Sequence, residues 1–146
     1  MLVAFIPMLA AAGGNAGSQT ASLIIRALAL KEVDGRRLPG ILFKELRVAV
    51  LLGAVLGVLA FGRVVLFYGD NSLPEGVSIR RLGLAIATAL SVQVVTSALI
   101  GAALPLLASR LRLDPAVMAS PALTTIVDIT GLVIYFGAIS LMLGVR

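Results

Sequence analysis

Residues 115–143 read PAVMASPALTTIVDITGLVIYFGAISLML, a run in which Asp128 is the only charged side chain. A hydrocarbon core takes about 20 apolar residues at a rise of roughly 1.5 Å each, so this run is long enough to cross one. Lipid offers no partner for a stray backbone N–H or C=O, and such a run therefore crosses as a helix. A charge at the helix centre costs about 3 kcal/mol on insertion scales, so Asp128 needs an offsetting interaction. No lysine or arginine follows it before Arg146. Arg26, in another apolar run, lies about 8 Å deep from Lys31, whereas Asp128 lies roughly 21 Å deep from Asp114, and a direct ion pair is not expected. There remain a protonated acid, a hydrogen-bonded structural acid, or a carboxylate that meets a cation in a wet cavity. For an intramembrane acid the functional reading is the default.

The neighbours of Asp128 favour a cavity. Thr124, Asp128, Gly131 and Tyr135 recur at helical spacing and predict a face of small and polar residues. Pro121 cannot donate a backbone hydrogen bond, which predicts a kink and leaves the carbonyl of Val117 without its usual partner. The plainer alternative is that Pro121 and Gly131 serve helix packing only.

Three further runs lie upstream, at 2–30, 46–68 and 82–109, and the sequence predicts an all-α polytopic membrane bundle of four transmembrane helices. Composition agrees: 60% of the 146 residues are hydrophobic and 13% charged, with a mean hydropathy of +1.09, against about 25% charged residues in soluble domains. The net charge of +5 sits between the apolar runs, as loop charge and not as a nucleic-acid footprint. Lys31, Arg36, Arg37, Lys44 and Arg47 mark the first connection as cytoplasmic, and Arg110 and Arg112 mark the third. The middle connection, with Asp70, Pro74 and Glu75, is expected outside, as are both termini. The opening run lacks a basic start and continues into Gly13 and Gly14 instead of ending at a cleavage site, so a signal peptide is not expected there. A chain that begins inside an apolar run is expected to lack preceding segments.

Cysteine and histidine are absent, so any metal must be held by oxygen, which suits magnesium or calcium better than zinc, copper or iron. No phosphate-binding glycine loop followed by lysine occurs, and no nucleophile has a histidine base, so enzymatic chemistry has no foothold. The first run carries a second constellation. Asn15, Gln19, Ser22 and Arg26 form one polar stripe on an otherwise apolar helix, which should not face lipid. Asn15 is about 24 Å from the Lys31 end, close to the depth of Asp128. Gly13 and Gly17, like Gly53 and Gly57 on the second run, are spaced for close helix packing. Gln93, Thr96 and Ser97 on the third run are expected to hydrogen-bond between helices.

Pro7-Met8-Leu9, then Gly13-Gly14-Asn15-Ala16-Gly17-Ser18-Gln19 and Ile25-Arg26-Ala27-Leu28-Ala29, resemble the second membrane helix of the MgtE magnesium channels. Ser120-Pro121 and Val127-Asp128-Ile129-Thr130-Gly131-Leu132-Val133-Ile134-Tyr135-Phe136 resemble their fifth. The resemblance covers essentially the whole chain and implies that residues 1–146 are a transmembrane domain lacking the first membrane helix and the cytoplasmic magnesium-sensing domains. It implies a homodimer in the bacterial inner membrane, with a pore on the twofold axis lined by the second and fifth helices. In that arrangement Asp128 attracts a largely hydrated Mg2+, backbone oxygens of Thr124 and Gly131 contact its water shell, and Asn15 hydrogen-bonds nearby. Mn2+, Co2+ and Ca2+ are the other candidate ions. Family members often carry asparagine where this chain has Ser120, a departure that leaves Ser120 without a carried-over role. Two other readings stand beside the channel. One is a proton- or sodium-coupled divalent cation transporter in which Asp128 alternates between protonated and ion-bound states. The other is a non-conducting assembly module.

Overall fold

The computed structural model describes residues 2–32, 38–68 and 78–144, with the side chains of 38 and 118–120 also outside the description. The expectations placed on Arg36, Arg37, Asp70, Pro74, Glu75, Arg146 and the side chain of Ser120 therefore fall outside the described residues. What is described is helical throughout: a 3-10 turn Leu2–Phe5, then α1 (Ile6–Ala29), α2 (Leu38–Phe67), α3 (Ile79–Arg110) and α4 (Pro115–Leu143).

The helix ends follow local chemistry. Pro7 stands in the first turn of α1, where a missing N–H costs little, and the chain ahead of it tightens into the 3-10 turn instead of extending the α-helix. Ser78 caps α3 by accepting from the Arg81 N–H, and Asp114 caps α4 by accepting from the Ala116 N–H at 2.8 Å. Both α1 and α3 close in the same way. Lys31 and Arg112 adopt positive φ of 55° and 58°. The next residue in each case donates to a carbonyl five positions back, Glu32 to Ala27 and Leu113 to Ala108. These are Schellman closures without the usual glycine. The helix α2 begins eight residues before the apolar run that predicted it. Lys44, Glu45 and Arg47 mark where the apolar stretch ends and do not interrupt the helix.

The helix α3 is the centre of the bundle. It packs against α1, α2 and α4; α1 and α4 also pack on each other, while α2 packs mainly on α3. Lipid is as apolar as leucine, so helix association here depends on close packing and hydrogen bonds more than on the hydrophobic effect. The contacts show how. A Cβ on Gly101 would collide with the backbone oxygen of Gly17, and one on Gly53 would lie 3.0 Å from the Ser91 carbonyl, so small residues let α1 and α2 approach the backbone of α3. Ser91 donates to the Gly53 carbonyl at 2.8 Å across the second of these crossings. One buried cluster joins Phe5, Leu9, Val64, Ile86, Tyr135 and Ile139. A smaller one joins Ala21, Leu123 and Val127.

Among the described residues, three helices are long and apolar enough to cross a membrane: 39–67, 79–110 and 121–143. The helix α1 is not among them. Its 24 residues span about 36 Å, but the polar stripe lowers its hydropathy.

Candidate ion site

Two sides of the bundle differ in chemistry. Through the middle of α2 the exposed side chains are apolar, Val50, Leu51, Val55, Val58 and Leu59 among them, which suits lipid, while its charged side chains Lys44, Arg47 and Arg63 are exposed towards the two ends. Across α3 lie α1 and α4. There the whole stripe Asn15, Gln19, Ser22 and Arg26 is exposed, together with Ser18, and Thr124 and Asp128 on α4 are exposed as well. Within the stripe, Ser22 donates to the Ser18 carbonyl at 2.8 Å, so its hydroxyl is already satisfied by its own helix.

Asp128 stands in a groove of about 170 Å³ between the two helices, walled by Ile6, Leu9 and Ala10 of α1 and by Gly131, Leu132 and Tyr135 of α4. The helices run antiparallel. Gly17 faces Leu123, and at the other end the Tyr135 hydroxyl donates to the Leu2 carbonyl at 2.6 Å. That register sets Asn15 near the level of Thr124, within about one 5.4 Å helical turn of Asp128 along the bundle.

The expected face of Thr124, Asp128, Gly131 and Tyr135 is divided by its surroundings. Thr124 and Asp128 are open, whereas Gly131 and Tyr135 are buried. Tyr135 shares its angular position with Asp128 but is covered because the N-terminal turn folds over it. Gly131 is pressed against Gln93 of α3. Pro121 lies inside one continuous helix, and its carbonyl accepts from the Thr125 hydroxyl at 3.2 Å.

Behind the groove lies a buried polar pair. Gln93 and Ser97 are each 0% exposed. Gln93 donates through Nε2 to the carbonyl of Val127 at 3.0 Å, as an inter-helix role predicts. Its Oε1 and the Ser97 Oγ have no partner among the described residues; an unsatisfied buried acceptor costs about 1–3 kcal/mol. Polarity flanked by alanine, valine and leucine was legible in the sequence, but the carbonyl that Gln93 reaches was not.

Among the described residues no cluster of three or more acidic side chains could hold a metal ion. One carboxylate per chain cannot replace the water shell of a divalent cation. It can attract a hydrated one, which suits magnesium, an ion that gives up its water reluctantly.

A helical bundle with three apolar spans, and with a polar stripe and an acid on the side away from α2, is a multi-pass membrane protein. The chain belongs to the MgtE family, described as divalent cation transporters, whose pattern matches residues 6–138. It is similar to the magnesium transporter MgtE of Thermus thermophilus, 37% identical over 142 residues that take in 97% of this chain and 29% of that protein. It is also similar to the magnesium transporter MgtE of Bacillus subtilis, 32% identical over 136 residues, 93% of this chain and 28% of that protein. The chain thus spans less than a third of the length of these relatives. The family is one of transporters, not of enzymes.

Proposed function

We propose that this chain is the membrane-embedded part of a magnesium channel of the inner membrane, and that two copies join their α1–α4 sides around a twofold axis to form the pore. In this reading all four helices cross the membrane. The helix α1 is the fourth span, tolerated because its polar stripe faces the pore and not lipid. Asp128 attracts the hydrated cation, backbone oxygens of Thr124 and Gly131 meet its water shell, and Asn15 hydrogen-bonds beside them. The observation that carries the reading is the contrast between the two sides. The polar stripe and Asp128 stand uncovered on one side, while on the other the middle of α2, from Val48 to Leu59, exposes only apolar side chains. Exposing both polar features to hydrocarbon is costly, and a second copy covers them in the manner of an isologous interface.

The family match and the magnesium transporters among the relatives supply the class of cargo. The experiment is cation flux into liposomes carrying the purified protein, with Mg2+, Mn2+, Co2+ and Ca2+ offered in turn. Mg2+ influx that persists without a proton or sodium gradient is the expected result. Flux that requires either gradient would replace the channel with a coupled transporter.

A further inference from the structure

Gln93 sits where three helices meet. Its amide is wholly buried, and a glycine faces it from each side. A Cβ on Gly13 of α1 would lie 2.6 Å from Nε2, and a Cβ on Gly131 of α4 would lie 2.8 Å from it. The amide is therefore wedged between α1 and α4, with room made for it on both. Stability is a weak reason for this arrangement. Hydrogen bonds between membrane helices contribute modestly, and here the amide oxygen is left without a partner among the described residues.

What the amide does hold is a specific peptide unit. The carbonyl of Val127 accepts from Gln93 Nε2 at 3.0 Å, and the Thr130 hydroxyl, which donates to the Ile126 carbonyl at 2.8 Å, also lies 3.1 Å from it. That carbonyl shares its peptide plane with the nitrogen of Asp128. Successive residues of a helix differ by about 100° around the axis, so a small rotation of α4 would move the Asp128 carboxylate out of its groove. A tether from α3 to the 127–128 peptide resists that rotation.

We infer that Gln93 is a positioning residue for the cation site: its amide, clamped between Gly13 and Gly131, sets the rotation of α4 and hence where Asp128 and the neighbouring backbone oxygens stand. The inference rests on the reading of Asp128 as the group that attracts the cation.

The test uses the purified protein in liposomes and reads dimer yield, Mg2+ influx and the ratio of Mg2+ to Ca2+ influx. Gln93→Met keeps the volume and removes the donor. It is expected to leave the dimer intact and to lower the Mg2+ to Ca2+ ratio several-fold. Gly13→Ala pushes on the same amide from α1 and should shift the ratio in the same direction, with no further change when the two are combined. Asp128→Asn is run beside them. If Asp128→Asn abolishes selective flux while Gln93→Met and Gly13→Ala both retain the native ratio, the positioning role is overturned and the reading of Asp128 stands. If Asp128→Asn also conducts as the native protein does, that reading falls and the inference with it. Loss of folded dimer in both Gln93→Met and Gly13→Ala assigns Gln93 to assembly alone and overturns the proposal.

Discussion

Gly17 and Gly101 meet main chain to main chain, the carbonyl of Gly17 occupying the space that any side chain on Gly101 would need. The crossing of α1 and α3 is thus fixed by the absence of side chains. Gly101→Ala forces the backbones apart and is expected to destabilise the protein by about 1–3 kcal/mol, the usual range for overpacking. Denaturant titration in detergent micelles measures it. The same substitution at Gly14, where an added Cβ meets nothing within 4 Å, should be close to neutral.

A long-range hydrogen bond, from the Tyr135 hydroxyl to the Leu2 carbonyl, ties the N-terminal turn to α4. Tyr135→Phe removes it and keeps the buried ring. A loss of about 1 kcal/mol is expected. Faster amide hydrogen exchange should be confined to the first turns of α1 and should not reach α3.

How much of this was legible before the structure depends on the range of the interaction. The run around Asp128 announced its helix, because length and apolarity are local properties, and α4 begins and ends where its sequence indicated. Lys44, Glu45 and Arg47 misplaced the start of α2, because hydropathy reports where an apolar stretch stops and a helix continues past that point. The stripe from Asn15 to Arg26 was readable as a stripe, and cost argued that it should not face lipid. That Tyr135 is covered while Asp128 is open was not readable. It depends on Leu2, which is distant in sequence. The wedge of Gln93 between two glycines was equally hidden, since each of the three residues comes from a different helix.

Topology gives a direct prediction. From the basic connections, Glu32 is expected in the cytoplasm and Ser78 outside. A single cysteine at Ser78 should react with a membrane-impermeant maleimide in intact cells, and one at Glu32 only after the membrane is opened. External labelling at Glu32 would reverse the orientation. Labelling of both from one side would remove α2 as a span.

The proposed pairing of α1–α4 sides predicts which positions can meet across a twofold axis. A cysteine at Gln19, on the exposed polar stripe, should form a disulfide between copies under mild oxidation in native membranes. A cysteine at Val55, 57% exposed on the apolar side of α2, should not. The reverse pattern would place the interface on α2 and leave the polar stripe unexplained.

The central claim is that the charge of Asp128 selects the cation, and it is tested most directly by Mg2+ influx and dimer yield measured together on purified Asp128→Asn in liposomes. The amide keeps nearly the same shape and loses the charge. The account predicts a normal dimer yield with selective Mg2+ influx abolished. A well-formed Asp128→Asn dimer that conducts Mg2+ with native selectivity would contradict it.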